Sequence, residues 1–338
     1  MALTPLLGKV PAHVNAPERL NPIDLDETGR AAVRRLTRSL QKPCPNNGIA
    51  RIFRSWNDAT IAARTTDASF FPTMIRSTVF APFDIIEGDR TLGIVLVADH
   101  ARRDLPEEYG DLGLPPPEFD RHIAYDIGGE AVTRELAAQL NAPAVIANFS
   151  RLLIDPNRGE DDPTLIRQLY DGTVIPANYP MAAEERERRL ACYYRPYHDA
   201  VGAMTASVAE ASGKAPFILS VHSFTPVMHG HVRPWHVGIL WDLDGRVARP
   251  LMEMLAADES LVVGDNEPYD GALRGDTMFR HAIVNGFAHA LVEIRQDLIA
   301  DQQGARSWAL RLAPVVEEIN RRPDIHEVRR FGSRTGPV

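Results

Sequence analysis

The chain reads as a mixed α/β protein with a largely parallel central sheet flanked by helices. Two observations predict this class. From about residue 82, short apolar runs alternate with stretches of helical periodicity. Several of those runs also close on polar, titratable residues, as expected where a ligand crevice lies outside the carboxyl ends of the strands. With 338 residues and 44% hydrophobic content, the chain has ample material for one large core.

Taken in order, residues 1–80 stand apart as an accessory segment. They hold a Pro-rich start (Pro5, Pro11, Pro17, Pro22), a helix predicted near Asp26 to Gln41, and a break at Pro43-Cys44-Pro45-Asn46-Asn47. This segment carries no recognisable chemistry and is expected to serve as a contact between copies in a homo-oligomer. Residues 81–338 form the α/β domain. Its strands are predicted at Gly93–Ala98, Ala144–Phe149, Phe217–Val221, Val237–Trp241, Leu261–Val263 and Ala290–Ile294. Helical patterns fall near Phe119–Leu140, Ala182–Ser212, Arg246–Ala257 and Ser307–Asn320.

Composition removes several function classes. The net charge is −8, and the one basic cluster, Arg30, Arg34, Arg35 and Arg38, sits on a single short helix, so no nucleic-acid partner is expected. The apolar run Ile94-Val95-Leu96-Val97-Ala98 is far short of the ~20 residues a membrane span needs. Cys44 and Cys192 cannot build a disulfide framework, and the first residues lack a secretory pattern, so a cytoplasmic protein is expected. No G-x-S-x-G elbow, phosphate loop or dinucleotide fingerprint follows a strand.

The chemistry-bearing residues gather at strand ends. His100 follows the first run in VADHARRDLP, and His222 ends the third in SVHSFTP. Two neutral imidazoles plus a carboxylate are a common catalytic zinc set that leaves one position open for water. The carboxylate can come from Asp104, four residues after His100, or from Asp126, expected on a helix one turn after His122. Arg151, Asp155, Asn157 and Arg158 crowd into SRLLIDPNRGED, where forked donors suit a carboxylate and where an Asx turn at Asp155 is the plainer reading. Glu293 closes the last strand beside Arg295 on one face, as a general base or as half of an ion pair.

Read together, these segments resemble the N-formylglutamate amidohydrolase family. The matching pieces are DHARRDLPEEYGDLGLP, RHIAYDIGGEAV, SRLLIDPNR, IPAN with RPYHDAV, SVHSFTPV, RPWHVGILWD, GDNEPYDG and HALVEIRQDLI, spanning roughly residues 85–320. The resemblance implies a fold like that of zinc carboxypeptidases and metal-dependent hydrolysis of an N-acyl amino acid. N-formyl-L-glutamate and water, giving formate and L-glutamate, is the first expectation. It places His100 and His222 on a Zn2+ or other divalent metal, Glu293 as the catalytic carboxylate, and Arg151, Asn157 and Arg158 on the substrate's carboxylate; Asp126 is taken as the third metal ligand and Ser223 as a further substrate contact. The Arg102-Arg103 pair beside His100 keeps a second reading open, a small-molecule binding protein that has lost its metal.

Overall fold

The computed structural model describes residues 80–338. The predicted helix at Asp26–Gln41, the accessory segment and its expected oligomer contact therefore lie outside the described residues. Seven strands form the central sheet: β1 (Phe83–Ile86), β2 (Ile94–Ala98), β3 (Ala144–Ala147), β6 (Phe217–Phe224), β9 (Val237–Leu240), β10 (Val263–Asp265) and β11 (Ala288–Arg295). Two small hairpins, β4/β5 (Leu169–Tyr170 with Thr173–Val174) and β7/β8 (Val227–Met228 with His231–Val232), stand outside it. The sheet order is β1-β3-β2-β6-β11-β9-β10. Strands β3, β2, β6 and β11 are parallel, while β1 and the β9/β10 pair run the opposite way.

Strict alternation along the buried strands gives the sheet two different faces. Ile94, Leu96, Leu219, Val221, Ile239, Val292 and Ile294 point to one core. That face is closed by α1 (Gly129–Leu140), α4 (Ala248–Ala256) and α5 (Gln302–Asn320). In α5 the residues Ala305, Trp308, Ala309, Leu312, Val316 and Ile319 repeat at helical spacing and are buried, and Asp301 caps its first turn by accepting from Gly304 N at 2.7 Å. Val95, Val97, Ile218 and Leu291 point to the opposite core, under α3 (Arg195–Ser212). A short α2 (Ala183–Arg189) runs into α3 through a π-helical turn, Leu190–Tyr194.

Several predicted elements shift. The helix expected from Phe119 begins only at Gly129, because Pro115 and Pro116 open a 3-10 turn and Gly128 adopts a left-handed conformation (φ 82°) just before it. The strand expected at Leu261–Val263 lies at Val263–Asp265, set by parallel pairing of Val263 with Val237. Strand β1 is a half-buried edge that no periodicity announced. Among the described residues no helix is long and apolar enough to cross a membrane.

Candidate active site

From β2 the chain moves to β3 on one side of the sheet, and β6 then lies on the other side of β2. Such a reversal opens a crevice at the carboxyl ends of the two strands flanking it. His100 follows β2 and His222 stands inside the end of β6, so both imidazoles enter that crevice, with ring centroids 5.0 Å apart. Glu293 pairs in register with His222 on the neighbouring β11.

Asp126 completes the group. His100, Asp126 and His222 are all buried, and each offers an atom within 4.8 Å of the others. Asp126 Oδ2 lies 2.8 Å from His222 Nδ1 and 3.5 Å from His100 Nδ1. Its other oxygen accepts from the Arg151 guanidinium. Burial pushes the Asp126 carboxyl up, but the Arg151 charge and the histidine contacts outweigh it and hold the group well below the usual carboxylate range.

The far nitrogen of each imidazole meets a second buried carboxylate. His100 Nε2 donates to Asp155 Oδ1 at 2.6 Å, and His222 Nε2 donates to Asp99 Oδ2 at 3.1 Å. Asp99 also accepts from Tyr197 Oη, Thr277 Oγ1 and Ser220 Oγ, which anchors it from three elements. Burial opposes ionisation of Asp99 and Asp155, yet their hydrogen bonds and the nearby positive charges keep both below the usual range. The Nε2 protons are thereby committed, and Nδ1 of each ring turns toward Asp126. His100 Nδ1 is buried without a hydrogen-bond partner. Burial would push the His222 imidazolium down, but hydrogen bonds to Asp126 and Asp99 raise it to about 10.

An orphaned, oriented lone pair beside a carboxylate and a second imidazole suits a divalent cation in a nitrogen–oxygen site. The residues present therefore fit a metal, held by His100 Nδ1, Asp126 Oδ2 and His222 Nδ1. Asp126 lies outside any helix, and His122 Nε2 lies 3.6 Å from Asp171 Oδ2. Asp104, the other candidate carboxylate, is exposed.

Glu293 faces this group with its Oε2 buried and unpaired. Burial pushes its carboxyl up to about 8, against the pull of His222, Arg151 and Arg233. The ion pair with Arg295 does not form, because Arg295 turns to Asp297 at 2.8 Å. The Arg102-Arg103 pair also turns away. Arg102 is held by Glu130, Asp84 and Asn148, and Arg103 by Asp120. The electrostatic motive for a metal-free binding protein disappears with it.

Arg151, Asn157, Arg158 and Ser223, the residues expected to meet substrate, line one cleft of about 450 Å³. Asp155 forms the expected Asx turn by accepting Asn157 N at 2.9 Å, which presents Asn157 and Arg158 to the cleft. Asp155 does not orient an arginine; it holds His100, while Arg151 serves Asp126. Ser223 also lines the cleft and donates to Ile127 O at 2.8 Å. Sequence reasoning missed Asp99, Arg167, Tyr269 and Asp276. Asp99 alone carried a signal, since it stands next to His100 at a strand end. Asp276 lines the cleft with its carboxyl pushed up to about 7 by burial.

A model of the N-formylglutamate amidohydrolase family matches residues 92–300. The chain belongs to this family. As a member it is an amidohydrolase, and the matched span contains every residue of the site described above. A solved gene product of Agrobacterium tumefaciens is 33% identical, covering 70% of this chain and 94% of that one, with a TM-score of 0.66. An N-formylglutamate amidohydrolase from Ralstonia eutropha JMP134 shares the fold at 22% identity and a TM-score of 0.52, covering 71% and 98% of the two chains. No curated protein matches this amidohydrolase in sequence.

Proposed function

We propose that this amidohydrolase cleaves the amide bond of an N-acyl amino acid in a metal-dependent reaction, with N-formyl-L-glutamate as the first substrate to test. One observation carries the reading: a buried carboxylate with an unpaired oxygen, Glu293, faces a buried His–Asp–His group in which His100 Nδ1 is left without a hydrogen-bond partner. A dication held there, zinc in the first instance, would supply Lewis acidity to the acyl carbonyl and acidify water.

The chain's own groups do the rest. Glu293 Oε2 takes the proton of the attacking water and returns it to the leaving nitrogen. Its burial raises its proton affinity, which suits both halves of that transfer. Asp155 and Asp99 keep the two imidazoles from turning. Arg158 and Asn157 bind the amino acid's carboxylate, Ser223 Oγ, its proton given to Ile127 O, accepts from a substrate N–H, and Arg151 adds positive charge from behind Asp126. This orients the amide against Glu293.

The same reading places residues 1–80 as an accessory segment joining copies of the chain, and the enzyme in the cytoplasm, with a small N-acyl amino acid as its partner. Metal quantification on the purified protein, followed by assays across N-formyl and N-acyl amino acids, tests the core of it. His100→Ala and His222→Ala are each expected to lose metal while remaining folded. Full stoichiometric metal in both variants would remove the metal assignment.

A further inference from the structure

The cleft lining is mixed: beside the two imidazoles, Asp126, Asp276 and the Asn157–Arg158 turn it carries apolar side chains near Glu293. Strand register shows where those apolar side chains stand. β11 runs between β6 and β9, with Glu293 paired to His222 on one side and to Gly238 on the other. Two residues earlier, on the same face, Leu291 pairs with Leu240 of β9. Met278, Trp241 and Tyr269 line the cleft with them.

The wall depends on Gly238. A Cβ there would sit 1.8 Å from Glu267 O, so glycine alone lets the Glu267–Pro268 backbone cross β9 and bring Tyr269 to the cleft. Burial keeps His289, next along the same strand face, neutral at pH 7, so it adds no charge here. A formyl group carries one carbon and leaves such a surface unused. The cleft as a whole, at about 450 Å³, is of the size that holds a small molecule well beyond a one-carbon acyl group.

We propose that Leu240, Leu291, Met278, Trp241 and Tyr269 form a subsite for an apolar acyl group, so that the preferred substrates are N-acyl amino acids with acyl chains longer than formyl. The inference rests on the hydrolase reading above: with the carboxylate at Arg158 and the carbonyl beside Glu293, the acyl substituent extends toward Leu291.

The test uses the zinc-loaded full chain with N-formyl-, N-acetyl-, N-butanoyl- and N-hexanoyl-L-glutamate. Catalytic efficiency is expected to climb roughly fourfold per methylene until the compartment is filled. Tyr269→Ser, at a partly exposed wall position, and Leu240→Gln, which keeps volume but adds polarity, are each expected to cut the hexanoyl-to-acetyl ratio about tenfold. Calorimetric binding of the same series to both variants and wild type supplies a readout independent of turnover. Hydrolysis of the formyl compound with efficiency falling along the series would overturn the subsite and leave the hydrolase reading standing. Affinity rising with chain length in a protein that hydrolyses none of them would support the subsite and overturn the hydrolase reading.

Discussion

The two faces of the sheet are built from the same strands and do opposite work. On the face under α1, α4 and α5, the inward strand positions are apolar, and the core is continuous from Ile94 to Ile325. On the opposite face, Asp99, Ser220, His222, His289 and Glu293 occupy strand or strand-end positions that would otherwise be apolar. Burying such groups costs free energy unless each finds a partner. Most do, but His100 Nδ1, Arg151 Nε, His289 Nε2 and Glu293 Oε2 do not. The difference teaches that the closed face supplies cohesion, while the open face keeps polar groups buried without partners.

The largest expected effect breaks the open face alone. Glu293→Gln should lower turnover by roughly two to four orders of magnitude, the range for a lost general base. Metal content and substrate affinity should be unchanged, and steady-state kinetics with metal analysis would show it. Near-normal turnover would return Glu293 to a structural role.

The closed face should respond in the opposite manner. Leu312→Ala, in the buried stripe of α5, should cost about 2–5 kcal/mol of stability by removing core contacts and leaving a cavity. Denaturant unfolding measures that loss, while metal stoichiometry should stay intact. A loss of metal in this variant would mean that the two faces are coupled more tightly than their separate cores imply.

Arg158→Ala sharpens the reading of the cleft. Two charge-assisted hydrogen bonds, each worth ~1.5–3 kcal/mol, amount to about a hundredfold or more in catalytic efficiency. Wild type should prefer an N-acyl amino acid over its amide by that factor, and the variant should lose most of the preference. Equal wild-type rates on acid and amide would rule out the carboxylate clamp.

The smallest effect concerns stability without metal. The Glu293 carboxyl is raised from its ordinary 4.5 to about 8. The unfolded chain therefore ionises this group where the folded one resists, and stability falls as pH rises between those values. Glu293→Gln should remove this penalty and stabilise the metal-free protein at pH 8 relative to wild type. The gain should vanish as pH approaches 4.5. Thermal unfolding of chelated wild type and variant at the two pH values would decide it.

The chain's periodicity alone determined the α/β class, five of the seven sheet strands and the strand-end positions of His100, His222 and Glu293. These follow from local chemistry: apolar runs bury, and a polar residue ending one marks a crevice. The family, too, was legible in motif order. Tertiary structure alone decided which carboxylate joins the histidines. Asp126 lies 26 residues from His100 in sequence, and only the turn that replaces the expected helix brings its oxygens beside both rings. It also decided that Asp155 serves His100 while Arg151 serves Asp126, and that Arg102 turns to Glu130 and Asp84. A charged side chain takes whichever partner the fold brings within hydrogen-bond reach. That distance is set by strand order and loop path, which residue spacing along the chain does not encode.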